Sequence, residues 1–429
     1  MGAEPRQTTL DSGVRIVTET MPSVRSVALG LYVATGSATE DVSVAGWSHL
    51  LEHMLFRGTE SYGSLEIDQI FDSMGAELNA GTGKDSTSVF SRVLDVHLER
   101  AFDVLSDMVW RPNVDEAELG PEREIVIEEI AMYEDDPQDL VFDVLGGAVF
   151  GEHPLGRPVS GTRESVSAAT APALKAFHAG RYLPHDVVVA AAGSIKHGAL
   201  VKLVENAQAR GGQEGRAPEQ SPVVDGPPAL RFVQRETEQY HLTLGAPGVA
   251  RDDERRYALR VLDTILGGTS SSRLFQEVRE KRGLAYSVFS FTSQHARAGQ
   301  VGVYVGTRPD NVGKALRVVG DELERLLDGG VSTDELERAK DHAKGRIVLA
   351  LESTSARMSR LGSALLAGLP LLTLDEMIER VEAVSAEDVD ALARELLAPE
   401  RISAAGIGAD EGVFREALEG VAPALAVTA

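Results

Sequence analysis

Apolar positions along this chain follow two rhythms, short unbroken runs and longer stretches in which they recur every three or four residues. Residues 8–10 and 14–20 flank the turn Asp11-Ser12-Gly13 and read as a hairpin. Ser26–Val33 is an apolar run short enough for a central strand. A helix is predicted over residues 44–56, stopped near Gly58, and a second over residues 64–74, with Ser64 as its N-cap and Gly75 as its stop. Residues 76–82 and 87–94 read as paired strands across Gly83-Lys84-Asp85. An amphipathic helix follows over residues 96–110 and ends at Arg111-Pro112. Pro121 opens a helix dense in carboxylates: Glu122, Glu124, Glu128, Glu129 and Glu134. Helices over residues 140–149, 172–179 and 197–208 and a strand over residues 187–192 complete this half.

Residues 209–228 are rich in glycine and proline, poor in large apolar side chains, and read as a linker. After it the pattern restarts. Ala101, Val104 and Asp107 recur as Ala315, Val318 and Asp321, an offset of 214 residues. Val166-Ser167-Ala168 recurs as Val384-Ser385-Ala386, an offset of 218. Two copies of one unit are therefore expected, residues 1–208 and 229–429, each an α+β arrangement of helices on a largely antiparallel sheet.

Composition narrows the chemistry. The 43% hydrophobic content over 429 residues fits two globular domains. No run of about 18 apolar residues exists, so no membrane span is expected. The first residues, Met1-Gly2-Ala3-Glu4-Pro5-Arg6, show no apolar signal segment, which points to the cytoplasm. The net charge of −24 disfavours nucleic acid, whose phosphates it repels. With no cysteine, a metal must be held by His, Asp or Glu.

One stretch meets that requirement. His49 and His53 are four residues apart in the apolar run around Trp47, Leu50, Leu51, Met54, Leu55 and Phe56. On a helix that spacing puts both imidazoles on one face, within reach of a single Zn²⁺. Glu52 lies near the same face and is placed to take a proton from a water that the metal activates. His-x-x-Glu-His is the inverted form of the zinc-protease signature. Catalytic zinc usually has three protein ligands, and the carboxylate-rich helix is the obvious supplier of the third. Glu122 and Glu129, seven apart, share a face of it, and Glu128 points about 100° away. The offset that relates the halves puts Asp263, Leu266 and Gly267 where His49, Glu52 and His53 stand, so one site and one Zn²⁺ per chain are expected.

His49-x-x-Glu52-His53, followed 76 residues later by Glu129, resembles the pitrilysin/insulinase family of zinc metallopeptidases, which includes the mitochondrial processing peptidase and insulin-degrading enzyme. The resemblance covers essentially the whole chain. It takes in the stretch from Gly75 to Thr82, Val126-Ile127-Glu128-Glu129-Ile130, and Ser271-Ser272-Arg273-Leu274-Phe275 through Gly283-Leu284-Ala285-Tyr286-Ser287. It implies that His49, His53 and Glu129 are zinc ligands, that Glu52 is the general base, and that Glu122 orients a ligand histidine. It also implies that Arg279 and Tyr286 reach the substrate, the Tyr hydroxyl donating to the oxyanion. Asn79, Ala80, Gly81 and Thr82 would offer a strand edge to a peptide. Two homologous domains facing each other around a cleft, unfolded peptide substrates and a homodimer complete the expectation. The short Gly267-Gly268-Thr269-Ser270-Ser271-Ser272 loop favours an active subunit over the non-catalytic type. A peptide-binding scaffold with little activity of its own is the alternative.

Overall fold

The computed structural model describes residues 4–210, 217–223 and 226–426. Residues 211–216 and 224–225 of the predicted linker lie outside the described residues, as do Met1, Gly2 and Ala3. The chain forms two compact units. The first comprises Met1–Ala131, Pro158–Ser221 and Val348–Thr373, and the second Met132–Arg157, Pro222–Ile347 and Leu374–Ala429.

The sheet of the first unit has six strands: β1 (Arg6–Thr9), β2 (Arg15–Thr20), β3 (Ser26–Val33), β4 (Glu77–Thr82), β5 (Thr87–Leu94) and β6 (Val187–Gly193). Their order is β1-β2-β6-β3-β5-β4. Only β2 and β6 run parallel, and the other neighbours are antiparallel. β6 is buried along its whole length, as its unbroken Val-Val-Val-Ala-Ala-Ala sequence requires of a strand covered on both faces. β4 closes the sheet on one side and alternates exposed and half-buried positions, and among the described residues its outer edge has no strand partner.

One face of this sheet carries the main core. Leu29, Leu31 and Val89 pack there with Leu50, Leu51 and Met54 of α1 (Trp47–Leu55) and Val104, Leu105 and Met108 of α3 (Leu98–Trp110). α2 (Ser64–Met74), which lies between them in the sequence, buries Ile67 and Phe71 in the same core. The other face, made by Val17, Ala28, Tyr32, Val188, Ala190 and Ala192, is covered by Met358, Leu361 and Leu365 of the helix Thr354–Leu366. Glu19, 3% exposed, receives Arg357 and Arg360 of that helix.

The sheet of the second unit contains β7 (Leu230–Gln234), β8 (Tyr240–Gly248), β9 (Ser287–Gln294), β10 (Gly299–Thr307) and β11 (Ser403–Gly408). Its order, β7-β11-β8-β10-β9, repeats β2-β6-β3-β5-β4, and its one parallel pair, β7 with β11, corresponds to β2 with β6. The sequence repeat is thus a structural repeat, and the α+β reading holds. Phe142 of α5 (Pro137–Phe150) packs against Phe289, Phe291 and Tyr304 of this sheet, and Leu145 lies over Gly245.

The compact units therefore cross the boundaries at 208 and 229 that the repeat predicts. Each includes one helix from the other half of the sequence, because each sheet has two apolar faces and its own half covers only one. Helix starts differ as well. α4 runs Glu116–Asp135, so Pro121 lies inside it and does not open it. α1 begins at Trp47 after a separate turn at Val42–Val44.

Candidate metal centre

α1 begins where it does because two glycines permit it. Gly46 has φ +85°, and a Cβ there would stand 2.3 Å from the Ser160 carbonyl oxygen. Gly161 is equally tight against the Ala45 carbonyl, at 2.2 Å. The buried Glu40 carboxylate then accepts from the Gly46 N–H at 2.7 Å and the Ser48 N–H at 2.6 Å, meeting donors that a helix start leaves without partners. Burial pushes the Glu40 carboxyl up, and the bonds from Ser48 and Gly46 and the charge of Arg181 oppose that rise. The Trp47 indole donates to the Ser165 carbonyl at 2.9 Å and anchors the first turn.

With its apolar side locked in the core, α1 turns His49, Glu52 and His53 to its half-buried face. The two imidazole rings meet edge to face, 4.8 Å apart. Glu129 comes to them from α4. Its Oε2 lies 3.6 Å from His49 Nε2 and 3.6 Å from His53 Nε2. Those separations are too long for hydrogen bonds. They fit ligand atoms around a shared ion, since two atoms bound tetrahedrally at about 2.0–2.1 Å stand about 3.4 Å apart. Among the described residues these three form the one group of His and carboxylate atoms close enough to hold a metal. The two-nitrogen, one-oxygen donor set is one that Zn²⁺ accepts in catalytic sites.

Surrounding residues fix the donors. His53 Nδ1 is 3.1 Å from Glu122 Oε2, which leaves Nε2 to face Glu129. Glu122 is 2% exposed, and its other oxygen receives Arg57 at 2.5 Å. Arg57 was not anticipated from sequence, although it lies one helical turn after His53. Burial and the neighbouring His53 lower the His49 imidazole to about 4, so its ring is neutral and free to donate a lone pair at pH 7. Burial raises the Glu52 carboxyl, and the Thr82 hydroxyl, donating at 2.5 Å, is the largest of the effects that oppose the rise. Thr82, the last residue of the edge strand β4, thus touches the carboxylate expected to move a proton. Glu128, next to Glu129, points to solvent.

The second unit carries the other pair singled out in the sequence. The Arg279 guanidinium lies 4.7 Å from the centre of the Tyr286 ring, and Tyr286 is 78% exposed. At the position that the repeat pairs with His49, Asp263 instead accepts from the Ser290 hydroxyl at 2.6 Å.

The chain is similar to known proteins along most of its length. Residues 15–163 match the family described as Insulinase (Peptidase family M16), and residues 168–342 match the Peptidase M16 inactive domain. The chain is 44% identical over 399 residues to an uncharacterized zinc protease of Streptomyces coelicolor, covering 91% of this chain and 87% of that one. It is 42% identical to an uncharacterized zinc protease of Bacillus subtilis, covering 90% of this chain and 94% of that one. The crystal structure of a protease from Helicobacter pylori superposes with a TM-score of 0.90 over 94% of this chain and 99% of that one, at 22% identity. That last likeness is one of fold.

Proposed function

The chain belongs to the M16 insulinase family of peptidases, and from that premise we propose that it is a zinc-dependent endopeptidase acting on unfolded peptides. The observation that carries this reading is the placing of Glu129 Oε2 at 3.6 Å from both imidazole nitrogens, with Glu52 on the same helix as the two histidines. His49, His53 and Glu129 would hold a Zn²⁺, whose Lewis acidity would serve to activate a water and polarise a carbonyl. Glu52 takes the proton of the attacking water and hands it to the leaving amine. Its raised carboxyl pKa suits a base that must also give the proton back, and the Thr82 hydroxyl holds one of its oxygens in place.

The open edge of β4 suits an extended peptide, which adds to it through main-chain hydrogen bonds along Asn79, Ala80, Gly81 and Thr82. Because β4 ends beside Glu52, a peptide on that edge is delivered to the proton carrier. Arg279 and Tyr286 are assigned to the peptide on the strength of the family resemblance, Arg279 binding a carbonyl and Tyr286 donating to the oxyanion. Homodimer formation belongs to the same reading and is tested by light scattering. No described helix is long and apolar enough to cross a membrane.

The direct test pairs metal analysis with cleavage of a quenched peptide. One zinc per chain is expected, with cleavage that a chelator stops and added zinc restores. Peptide binding by the zinc-loaded chain without turnover would overturn the endopeptidase and leave a peptide-binding scaffold.

A further inference from the structure

The stretch from Phe275 to Tyr286 is built to hold two side chains still, the half-buried Arg279 and the exposed Tyr286. Phe275–Glu280 forms a π-helical turn, a form that concentrates at functional sites. Leu274 and Val278, both fully buried, anchor its inner side. Gly283, at φ +60°, then reverses the chain. Its N–H donates to the Arg279 carbonyl at 2.9 Å, and the Leu284 N–H donates to the Val278 carbonyl at 2.9 Å. The Leu284 carbonyl receives the Thr307 hydroxyl at 2.5 Å and the Asn311 amide at 3.3 Å. Ser287 pairs with Gly306 as β9 begins. The backbone on both sides of Tyr286 is therefore fixed, while its ring projects outward.

What steadies the side chains is a stack. The Arg279 guanidinium stands 4.8 Å from the Phe275 ring centre and 4.7 Å from the Tyr286 ring centre. Among the described residues its ion-pair neighbour is the exposed Glu280, at 3.7 Å. An unstacked arginine loses several rotatable bonds' worth of freedom when it binds a ligand, and one already held between rings loses less. We infer that Phe275 is a positioning residue for peptide binding and cleavage, holding Arg279 and, through it, the Tyr286 ring in the orientation that meets the peptide. The inference rests on the reading of Arg279 and Tyr286 given above. Phe275 touches no substrate in this account and acts only through Arg279.

Two measurements test it. The first is kcat and KM for a quenched peptide, and the second is the Kd of a fluorescently labelled peptide on the Glu52→Gln protein, which needs no turnover. Phe275→Leu is expected to raise KM and Kd and to lower kcat/KM roughly 2- to 10-fold, the range that an exposed to partly desolvated cation–π contact supports. Phe275→Tyr, which keeps a ring, is expected to restore near wild-type values. In an Arg279→Ala background, Phe275→Leu is expected to add nothing. An impaired Arg279→Ala beside an unaffected Phe275→Leu would overturn the inference alone. So would a Phe275→Leu loss that persists in full without Arg279, since that loss would come from the fold. An Arg279→Ala protein that is normal in both assays would overturn the reading of Arg279 itself and the inference with it.

Discussion

Three glutamates of α4 have nearly the same chemistry and three different fates. Glu122 is buried, bonded to His53 on one oxygen and Arg57 on the other. Glu128 faces solvent. Glu129 is half-buried and aims one oxygen between two imidazole nitrogens. The contrast gives a direct comparison: Glu129→Ala should empty the site of zinc after dialysis, and Glu128→Ala should keep it. Metal analysis of the two proteins decides the register, and loss of zinc from Glu128→Ala would show that it is off by one. Glu52 differs from all three because its partner is a hydroxyl, Thr82, and it is no member of the metal-holding group. Glu52→Gln keeps the shape and loses the basic oxygen, so zinc content should stay at the wild-type level while turnover disappears. More than a few per cent of wild-type cleavage would sink the assignment of Glu52 as base.

At the scale of elements, what the sequence made legible was whatever neighbouring residues decide. The helix Ser64–Met74 was read from Gly75 at its end, and that glycine does adopt the left-handed conformation; Ser64 proved to be its first helical residue, with Gly63 at the N-cap. The strand β3 is legible from its apolar run, and β5 from its pairing with β4 across Gly83-Lys84-Asp85. The start of α4 is not legible in this way, since Pro121 looks like an opening residue while the helix begins at Glu116, five residues earlier, on the Asp115 carbonyl. Within the site, both imidazoles and their spacing were visible, but Glu40 was not. No local pattern marks a carboxylate that reaches six and eight residues ahead to the N–H groups of Gly46 and Ser48. Its contribution can be measured. Glu40→Ala leaves two buried donors without their acceptor, at a cost of about 2–4 kcal/mol. Thermal unfolding should show that loss. Because the disturbed turn carries His49, zinc affinity should fall with it, and an unchanged melting temperature would show that water replaces the carboxylate without penalty.

For the whole molecule, an apolar helical stripe reports that it will be buried but not which sheet will bury it. Phe142 and Leu145 of α5 look like core residues of the first half, yet they cover the second sheet. Met358, Leu361 and Leu365 look like core residues of the second half, yet they cover the first. Each half of the sequence thus supplies a helix without which the other unit's sheet exposes an apolar face. A chain cut within residues 211–216 should therefore not fall apart. With a protease site placed there, the two fragments should elute together on gel filtration after complete cleavage and should retain peptide hydrolysis. The contact most worth weakening is Glu19 with Arg357 and Arg360, which lies beside the apolar patch under the helix Thr354–Leu366. Removing one partner of a buried ion cluster costs about 3–5 kcal/mol, because the charges left behind have lost both water and counter-ion. The cut Glu19→Ala protein should then separate into its fragments at a lower urea concentration than the cut wild type. The uncut Glu19→Ala chain, in which the linker still holds the helix close at high effective concentration, should lose less. Fragments of the cut wild type that separate in plain buffer would show that the exchanged helices add little to the stability of either unit.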